Sequence, residues 1–259
     1  MSESPFLSEG EYNKMISTWR KDVAREEDEV EDRRIPYIMG RHLDAGNKDF
    51  DLNNLHGINF IEHIEKKIEE TGANRRNPLM ILDLGGGMHF FSDQLRAKFG
   101  SKVKVVSTGI SADVSQKARD IVASANTELP HVGAIPKELH PDDSKMHSIF
   151  QMNKTEEGGA PKEEFDLIVD TFGEQYYGLE GKSGKLEKFL EAILAKLKSG
   201  GMATIAPFGS FARHEGQKIR ESDYSSNEVH SILERLKDKC DIEKINKGNG
   251  QFVLRIIKK

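Results

Sequence analysis

The 259-residue chain is predicted to fold as an α/β protein with a mostly parallel sheet. From residue 78 onwards, short apolar stretches of strand length alternate with amphipathic stretches of helical period. This alternation is typical of parallel strands joined by right-handed helical crossovers. Near the C-terminus, two further strand-like stretches flank Lys247-Gly248-Asn249-Gly250, a hairpin signal that adds an antiparallel strand at or near the sheet edge.

The individual elements follow from apolar periodicity and from the glycines and prolines between them. Strands are expected at residues 79–84, 103–107, 132–135, 165–170, 202–207, 241–245 and 251–257. Helices are expected near residues 92–99, after residue 113, across residues 186–197 and around residues 229–236. Gly100 is expected to end the first of these helices, and Gly200 and Gly201 the long one before the fifth strand.

The N-terminal part of the chain has a different, purely helical pattern. Ser8 and Glu11 have capping-box spacing, and apolar residues at helical intervals predict a helix over residues 8–34. A second helix is expected to end at Gly72 and to carry an apolar face of Leu55, Ile58, Ile61, Ile64 and Ile68. We therefore expect an N-terminal helical extension or lid (residues 1–76) and an α/β domain (residues 77–259).

Composition narrows the class of protein. The formal net charge of -5 argues against a partner that is a long nucleic acid, which favours a basic surface. No stretch approaches the roughly 20 apolar residues of a membrane-spanning helix, and residues 1–10 lack the apolar core of a signal peptide. The expected location is therefore the cytoplasm, without a membrane partner. The single cysteine, Cys240, is expected to be buried and inert, and no Cys/His spacing predicts a metal site.

The strongest functional signal is Asp83-Leu84-Gly85-Gly86-Gly87, where the first strand ends and a helix follows. Glycines allow a sharp turn and a close approach to a ligand, and the amides at a helix N-terminus suit a carboxylate or phosphate. Asp83 can accept hydrogen bonds from a cationic or hydroxyl-bearing ligand. Phe90 stands where a dinucleotide fingerprint has its third glycine, which disfavours NAD. His89 belongs to the same turn, and its side chain either packs or contacts the ligand.

This turn resembles motif I of the class I S-adenosylmethionine-dependent methyltransferases. Residues 165–170 resemble the fourth-strand motif of that family, and residues 194–206 resemble its helix–Gly-Gly–strand motif. The closing helix and hairpin match the family's antiparallel seventh strand, which lies between strands five and six. The resemblance covers residues 79–258. It implies a Rossmann-like, doubly wound, seven-stranded sheet, S-adenosylmethionine as the cofactor, and methyl transfer as the reaction.

The resemblance also implies where the cofactor is held. The implied cofactor-binding residues are Asp83, Gly85, Gly86, Gly87, Met88, Ser111, Asp113, Asp170, Thr171 and Phe172. Members of the family usually carry an acidic residue at the end of strand two for the ribose hydroxyls, and Ser111 stands there in this chain. Asp113 lies two residues later and either bends back to the ribose or caps the following helix.

The resemblance also implies that the methyl acceptor lies just beyond the fourth strand, at residues 170–177. This stretch is not the Asn/Asp-Pro-Pro-aromatic tetrapeptide of enzymes that methylate amino groups of adenine or glutamine, and no cysteine is near it. A small-molecule or protein acceptor remains. Glu174, Tyr176 and Tyr177 are candidate catalytic residues, unless the tyrosines pack under the next helix. A non-catalytic S-adenosylmethionine-binding module is the alternative function, and an NAD(P)-dependent oxidoreductase ranks third.

Overall fold

The computed structural model describes residues 52–109, 115–116, 119–120, 138–143, 149, 152, 164–171, 183–209, 226–248 and 251–259. Its strands are β1 (Leu79–Leu84), β2 (Val103–Ser107), β3 (Phe165–Thr171), β4 (Leu197–Gly209), β5 (Cys240–Gly248) and β6 (Gln251–Lys258). Its α-helices are α1 (Leu52–His56), α2 (Phe60–Thr71), α3 (Phe90–Phe99), α4 (Ser183–Lys196) and α5 (Ser226–Leu236).

The described strands form one mixed sheet in the order β2-β1-β3-β4-β6-β5. The first four strands are parallel, and β6 is antiparallel to both of its neighbours. The insertion of an antiparallel β6 between β4 and β5 agrees with the arrangement that the family resemblance implies. The strand expected at residues 132–135 lies outside the described residues, so the described sheet has six strands. Next to β2, Asp143 forms an isolated parallel bridge with Ser107.

Both faces of the sheet are covered by helices. Because side chains alternate along a strand, Ile81 faces α1, α2 and α3, whereas Leu82 faces α4 and α5. Phe60 of α2 and Phe91 of α3 meet edge to face, with ring centroids 5.2 Å apart. The result is a helix–sheet–helix sandwich, with a hydrophobic cluster on each face of the sheet.

The helix expected before residue 72 is divided into α1 and α2 by a turn at Gly57, whose φ is 63°. The side chain of Asn59 caps the start of α2 by accepting a hydrogen bond from Glu62 N–H. As predicted, α2 ends at Gly72, which is left-handed and donates its N–H to the Ile68 carbonyl. Both helices pack into the hydrophobic cluster on the face of the sheet that carries Ile81. Residues 1–51, including the helix expected at 8–34, lie outside the described residues, so the division at residue 76 stays a prediction.

Gly200 and Gly201 do not end a helix, contrary to the sequence-based prediction. Helix α4 already ends at Lys196, and both glycines lie inside β4. The β3–β4 register passes from Phe165 opposite Leu197 to Leu167 opposite Met202, so the intervening residues of β4 bulge. Gly200 has a φ of 74°, and a Cβ on Gly201 would lie 2.8 Å from the Lys198 carbonyl oxygen. A left-handed glycine such as Gly200 suits this bulge as well as a helix end, so the glycine pair alone does not distinguish the two.

The single cysteine lies in the interior of the protein. Cys240 is buried, its Sγ–H donates to the Leu236 carbonyl at 3.3 Å, and burial raises the pKa of its thiol. This placement agrees with the expected inert cysteine.

In the part of the chain that the structure describes, no helix is long and apolar enough to cross a membrane.

We expect Gly201→Ala to lower the free energy of unfolding by about 1–3 kcal/mol, because its Cβ would press against three backbone carbonyl oxygens. Ser199→Ala, at an exposed position of the same bulge, is the control and should change that energy by less than about 0.5 kcal/mol. Urea denaturation measures both. Equal unfolding energies for the two variants would contradict the described bulge.

Candidate functional site

The carboxyl ends of β1, β2 and β3 meet at one edge of the sheet, where ligands of open α/β sheets bind. A turn of five residues, Gly85 to His89, leads from β1 into α3 and is called the glycine turn below. Gly85, Gly87 and His89 all have positive φ, at 66°, 60° and 63°. Among the described residues, His89 is the only non-glycine in this region, which side chains with a Cβ rarely adopt.

The first half of the glycine turn is bonded to the segment after β2. Thr108 donates its N–H to the Asp83 carbonyl at 2.9 Å, and its own carbonyl accepts Gly86 N–H at 2.8 Å. Gly85 N–H donates to Thr108 Oγ1 at 3.0 Å. Among the described residues, neither Gly87 nor Met88 donates its N–H to a partner, and Gly87 is exposed. The second half of the turn therefore presents two amides at the start of α3.

Beneath the turn lies a buried polar group that we call the Asp83 cluster, made of Asp83, His89, Ser92 and Ser107. Asp83 Oδ2 accepts hydrogen bonds from Ser107 Oγ at 2.9 Å and from Ser92 Oγ at 3.1 Å. His89 Nδ1 lies 2.5 Å from Ser107 Oγ. A serine hydroxyl has a single hydrogen. Because Ser107 donates that hydrogen to Asp83, its oxygen accepts the hydrogen bond from His89. His89 therefore carries a hydrogen on Nδ1.

Gly86 packs directly on this cluster. A Cβ at residue 86 would overlap Ser107 Oγ and lie 2.5 Å from Asp83 Oδ2 and 2.7 Å from His89 Nδ1. The middle glycine is thus required by close internal packing, a role that sequence reasoning missed when it assigned the glycines to ligand approach. The cluster also answers the open question about His89, whose side chain is fully buried and hydrogen-bonded inside the protein.

Arg119 holds the other end of the glycine turn. Its guanidinium is buried and donates from Nη1 to the Met88 carbonyl and to Asp93 Oδ2, both at 2.8 Å. The guanidinium carbon also lies 5.5 Å from the centre of the Phe90 ring. Because Arg119 follows β2 in the chain, these contacts tie the turn to the part of the chain around residue 119.

A second arginine, Arg96, connects α3 to β2 and to Asp143 beside that strand. Arg96 of α3 forms a two-pronged pair with Asp143, at 2.6 and 2.9 Å, and donates to the Val105 carbonyl at 2.9 Å. Burial raises the pKa of the Asp143 carboxyl, and the hydrogen bond from Arg96 opposes that rise. Sequence reasoning found neither arginine, because their partners are distant along the chain.

Asp170 and Thr171, at the end of β3, are both buried. Asp170 pairs in register with Leu84 and Ile205, so its side chain faces α4 and α5. The Thr171 side chain faces the opposite side of the sheet, where its Oγ1 lies 2.8 Å from His56 Nε2. The two neighbouring residues therefore serve different faces of the same strand end.

The structure thus brings part of the implied cofactor site to one edge. The implied residues found there are Asp83, Gly85, Gly86, Gly87, Met88, Asp170 and Thr171. Ser111, Asp113, Phe172, Glu174, Tyr176 and Tyr177 lie outside the described residues, so their roles stay predictions. No group of three or more His, Cys, Asp or Glu side chains within the described ranges is arranged to hold a metal ion.

No protein-family model and no curated protein matches the chain. Solved structures do match. A SAM-dependent methyltransferase from Aquifex aeolicus is 20% identical, with 83% of this chain and 98% of that chain covered and a TM-score of 0.43. A putative rRNA-methylase from Clostridium thermocellum is 12% identical, covering 77% and 96%, with a TM-score of 0.42. A methyltransferase from Pyrococcus furiosus is 18% identical, covering 74% and 81%, with a TM-score of 0.35. At these identities and TM-scores, the activities of the three proteins do not carry over to this chain.

Proposed function

We propose that this protein is an S-adenosylmethionine-dependent methyltransferase that acts on a small-molecule or protein acceptor. The observation that carries the proposal is the glycine turn at the carboxyl edge of the sheet. Buried hydrogen bonds hold the turn from beneath, and the amides of Gly87 and Met88, which have no acceptor among the described residues, would bind a ligand at the start of α3. Helix N-termini favour anionic groups, so a carboxylate suits this position.

The residues that would hold the cofactor divide by their place along the sheet edge. Gly85 to Met88 would hold the amino-acid end, with Asp83 fixing the turn from beneath through its two serine partners. Ser111 and Asp113 would serve the ribose. Asp170, Thr171 and Phe172 would complete the site at the end of β3. The aromatic side chain of Phe90 is buried at the first position of α3, where a dinucleotide site requires glycine, which favours this cofactor over NAD.

When bound, S-adenosylmethionine supplies an electrophilic methyl carbon on its sulfonium. The protein then has to align an acceptor atom with that carbon and exclude water. A general base is needed only where the acceptor atom carries a proton of high pKa. Glu174, Tyr176 and Tyr177 are the groups that we assign to orienting the acceptor and taking its proton.

The test of the proposed function is transfer of a labelled methyl group. The protein and methyl-labelled S-adenosylmethionine are incubated with a metabolite pool in one experiment and with a protein lysate in another. Label in a new small molecule or a new protein band, absent without the enzyme, is the expected result. Cofactor binding without any transfer would instead favour the non-catalytic S-adenosylmethionine-binding module.

We expect the protein to bind S-adenosylhomocysteine and not NAD. Asp83→Asn should weaken that binding by about tenfold to a hundredfold, because the charged acceptor of the two serine hydroxyls beneath the glycine turn is lost and the turn is no longer held in place. Asp166→Asn is the matched control. It removes a strand carboxylate that accepts Met80 N–H at 2.8 Å and Lys198 Nζ at 2.7 Å, and it should lower the melting temperature without changing affinity. Calorimetry measures affinity, and NAD binding or an unaffected Asp83→Asn would refute the assignment.

Gly87→Ala should abolish or severely weaken binding of S-adenosylhomocysteine. A Cβ at a positive φ also costs about 1–2 kcal/mol of stability, wherever the position lies. Gly72→Ala separates the two effects, because Gly72 has a φ of 65°, has no atom within 4 Å of an added Cβ and lies at the end of α2. Both variants should lose similar stability in thermal melts, and only Gly87→Ala should lose affinity. Equal affinities would mean that Gly87 serves the backbone alone.

The acceptor chemistry is tested by removing single functional groups once an acceptor is known. If the acceptor atom must lose a proton, Glu174→Gln, Tyr176→Phe or Tyr177→Phe should lower kcat by about a hundredfold or more. Tyr→Phe keeps the ring, so a pure packing role would leave kcat unchanged. Full turnover by all three variants would exclude these side chains from acid–base work.

A further inference from the structure

His56 is a buried imidazole whose two nitrogens bond to two neighbouring strands. Its Nδ1 lies 2.8 Å from Thr204 Oγ1 on β4, and its Nε2 lies 2.8 Å from Thr171 Oγ1 at the end of β3. His56, Thr171 and Thr204 are all buried. Sequence analysis had not singled out His56, which ends the short helix α1.

The protonation of His56 follows from counting hydrogens. Among the described residues, His56 is the only hydrogen-bond partner of the Thr204 hydroxyl, which is fully buried. Thr171 is buried too, with His56 as its only hydrogen-bond partner among the described residues, and a neutral imidazole can accept only one of the two hydrogens. Thr204 lies inside β4, away from the carboxyl edge of the sheet, so its hydrogen has to be satisfied within the protein, and it donates to Nδ1. A neutral imidazole then carries its own hydrogen on Nε2 and donates it to Thr171. The hydrogen of the Thr171 hydroxyl therefore points away from His56.

Independent contacts hold α1, and with it His56, in place. Lys247 Nζ donates to the Asn54 carbonyl at 2.6 Å, and Arg255 Nη2 donates to the Gly57 carbonyl at 3.2 Å. Basic groups are favourable at the carboxyl end of a helix, where carbonyls lack partners. Arg255 is itself held by Glu243 at 2.7 Å. The imidazole is thus fixed by the sheet on one side and by its helix on the other.

Thr171 is next to the glycine turn. Asp170 and Leu84 are the last pair in the register of β3 and β1, and Thr171 and Gly85 are the residues that follow them. Neighbouring strands lie about 4.8 Å apart. A donor hydrogen on Thr171 therefore lies beside the start of the glycine turn, whose second half presents two amides at the start of α3.

We propose that His56 is a positioning residue: it holds Thr171 so that its hydroxyl donates a hydrogen bond to a carboxylate oxygen of the bound ligand. The inference rests on the proposed function, in which that carboxylate belongs to the amino-acid end of the methyl donor. Through His56, the end of helix α1 becomes part of the cofactor site.

The first test is the tautomer of His56, read by NMR of its ring nitrogens in the wild-type protein. A hydrogen on Nε2 and none on Nδ1 is the expected result. A hydrogen on Nδ1 would overturn the inference, because Nε2 would then accept the Thr171 hydrogen and leave none for a ligand. This measurement does not depend on which ligand binds.

The second test compares two variants of His56. Glutamine can place an amide donor near the former Nε2 and keep the bond to Thr171, whereas asparagine reaches only the Nδ1 side. His56→Asn should bind S-adenosylhomocysteine about tenfold more weakly than His56→Gln. Both should bind methylthioadenosine, which lacks the carboxylate, as the wild type does. Asp166→Asn is the control: it removes the partner of Met80 N–H and Lys198 at the other end of β3 from Thr171, so stability falls and affinity is kept.

The outcomes distinguish a structural role of His56 from a failure of the proposed function. Equal S-adenosylhomocysteine affinities for His56→Asn, His56→Gln and the wild type, with lowered melting temperatures, would leave His56 a structural residue and refute the inference. Parallel losses for S-adenosylhomocysteine and methylthioadenosine would refute it as well, because the carboxylate would not be involved. A wild-type protein that binds neither compound would refute the proposed function itself.

Discussion

The structure of the candidate site depends on the burial of one carboxylate, that of Asp83. A charge without hydrogen-bond partners is costly in a protein interior, and Ser92 and Ser107 supply partners from α3 and β2. The side chain that ends β1 therefore determines where the next helix begins and how the neighbouring strand ends. The glycine turn is the backbone that must pass over this bonded group. Its geometry is consequently set from beneath, before any ligand arrives.

The same constraint explains why the three glycines are not equivalent. Gly86 has no room for a Cβ above the Asp83 cluster. Gly85 and Gly87 have positive φ, and Gly87 is exposed. His89 tolerates a positive φ because its side chain is fixed in the cluster, and backbone strain of this kind persists only where the surroundings over-determine it. The turn thus combines a packed inner half with an outer half that faces the proposed ligand site.

Sequence predicted the elements whose signals are local. The bounds of β1 and β2 were predicted correctly, because each is a short apolar run between residues that interrupt regular structure. Gly72 ends its helix as predicted, whereas Gly200 and Gly201 illustrate a local signal with two structural solutions, a helix end and a bulge. Within the site, the glycine turn was predictable from its spacing.

The contacts that shape the site could not be predicted, because they join distant residues. His56 meets Thr204 across 148 positions of sequence and Thr171 across 115. Arg119 reaches Asp93 across 26 positions. A buried histidine or arginine has the same one-letter code as an exposed one, and only the packed sheet decides which polar groups meet. Hydrophobic periodicity predicts that a face of the sheet is covered by helices. It does not predict which polar side chains meet at the carboxyl ends of the strands.

The register of the sheet places the Asp83 cluster and the hydrogen bonds of His56 on the same face. Ser107, Asp83, Val169, Thr204 and Arg255 are paired in one row across five strands, so their side chains share a face. The row two residues nearer the amino ends of the parallel strands is apolar, with Val105, Ile81, Leu167 and Met202. One face therefore changes from hydrophobic core to hydrogen-bonded network within a single pleat. The Asp83 cluster and His56 belong to this same layer, so a ligand at the sheet edge would rest on groups that also hold α1 and α3 to the sheet.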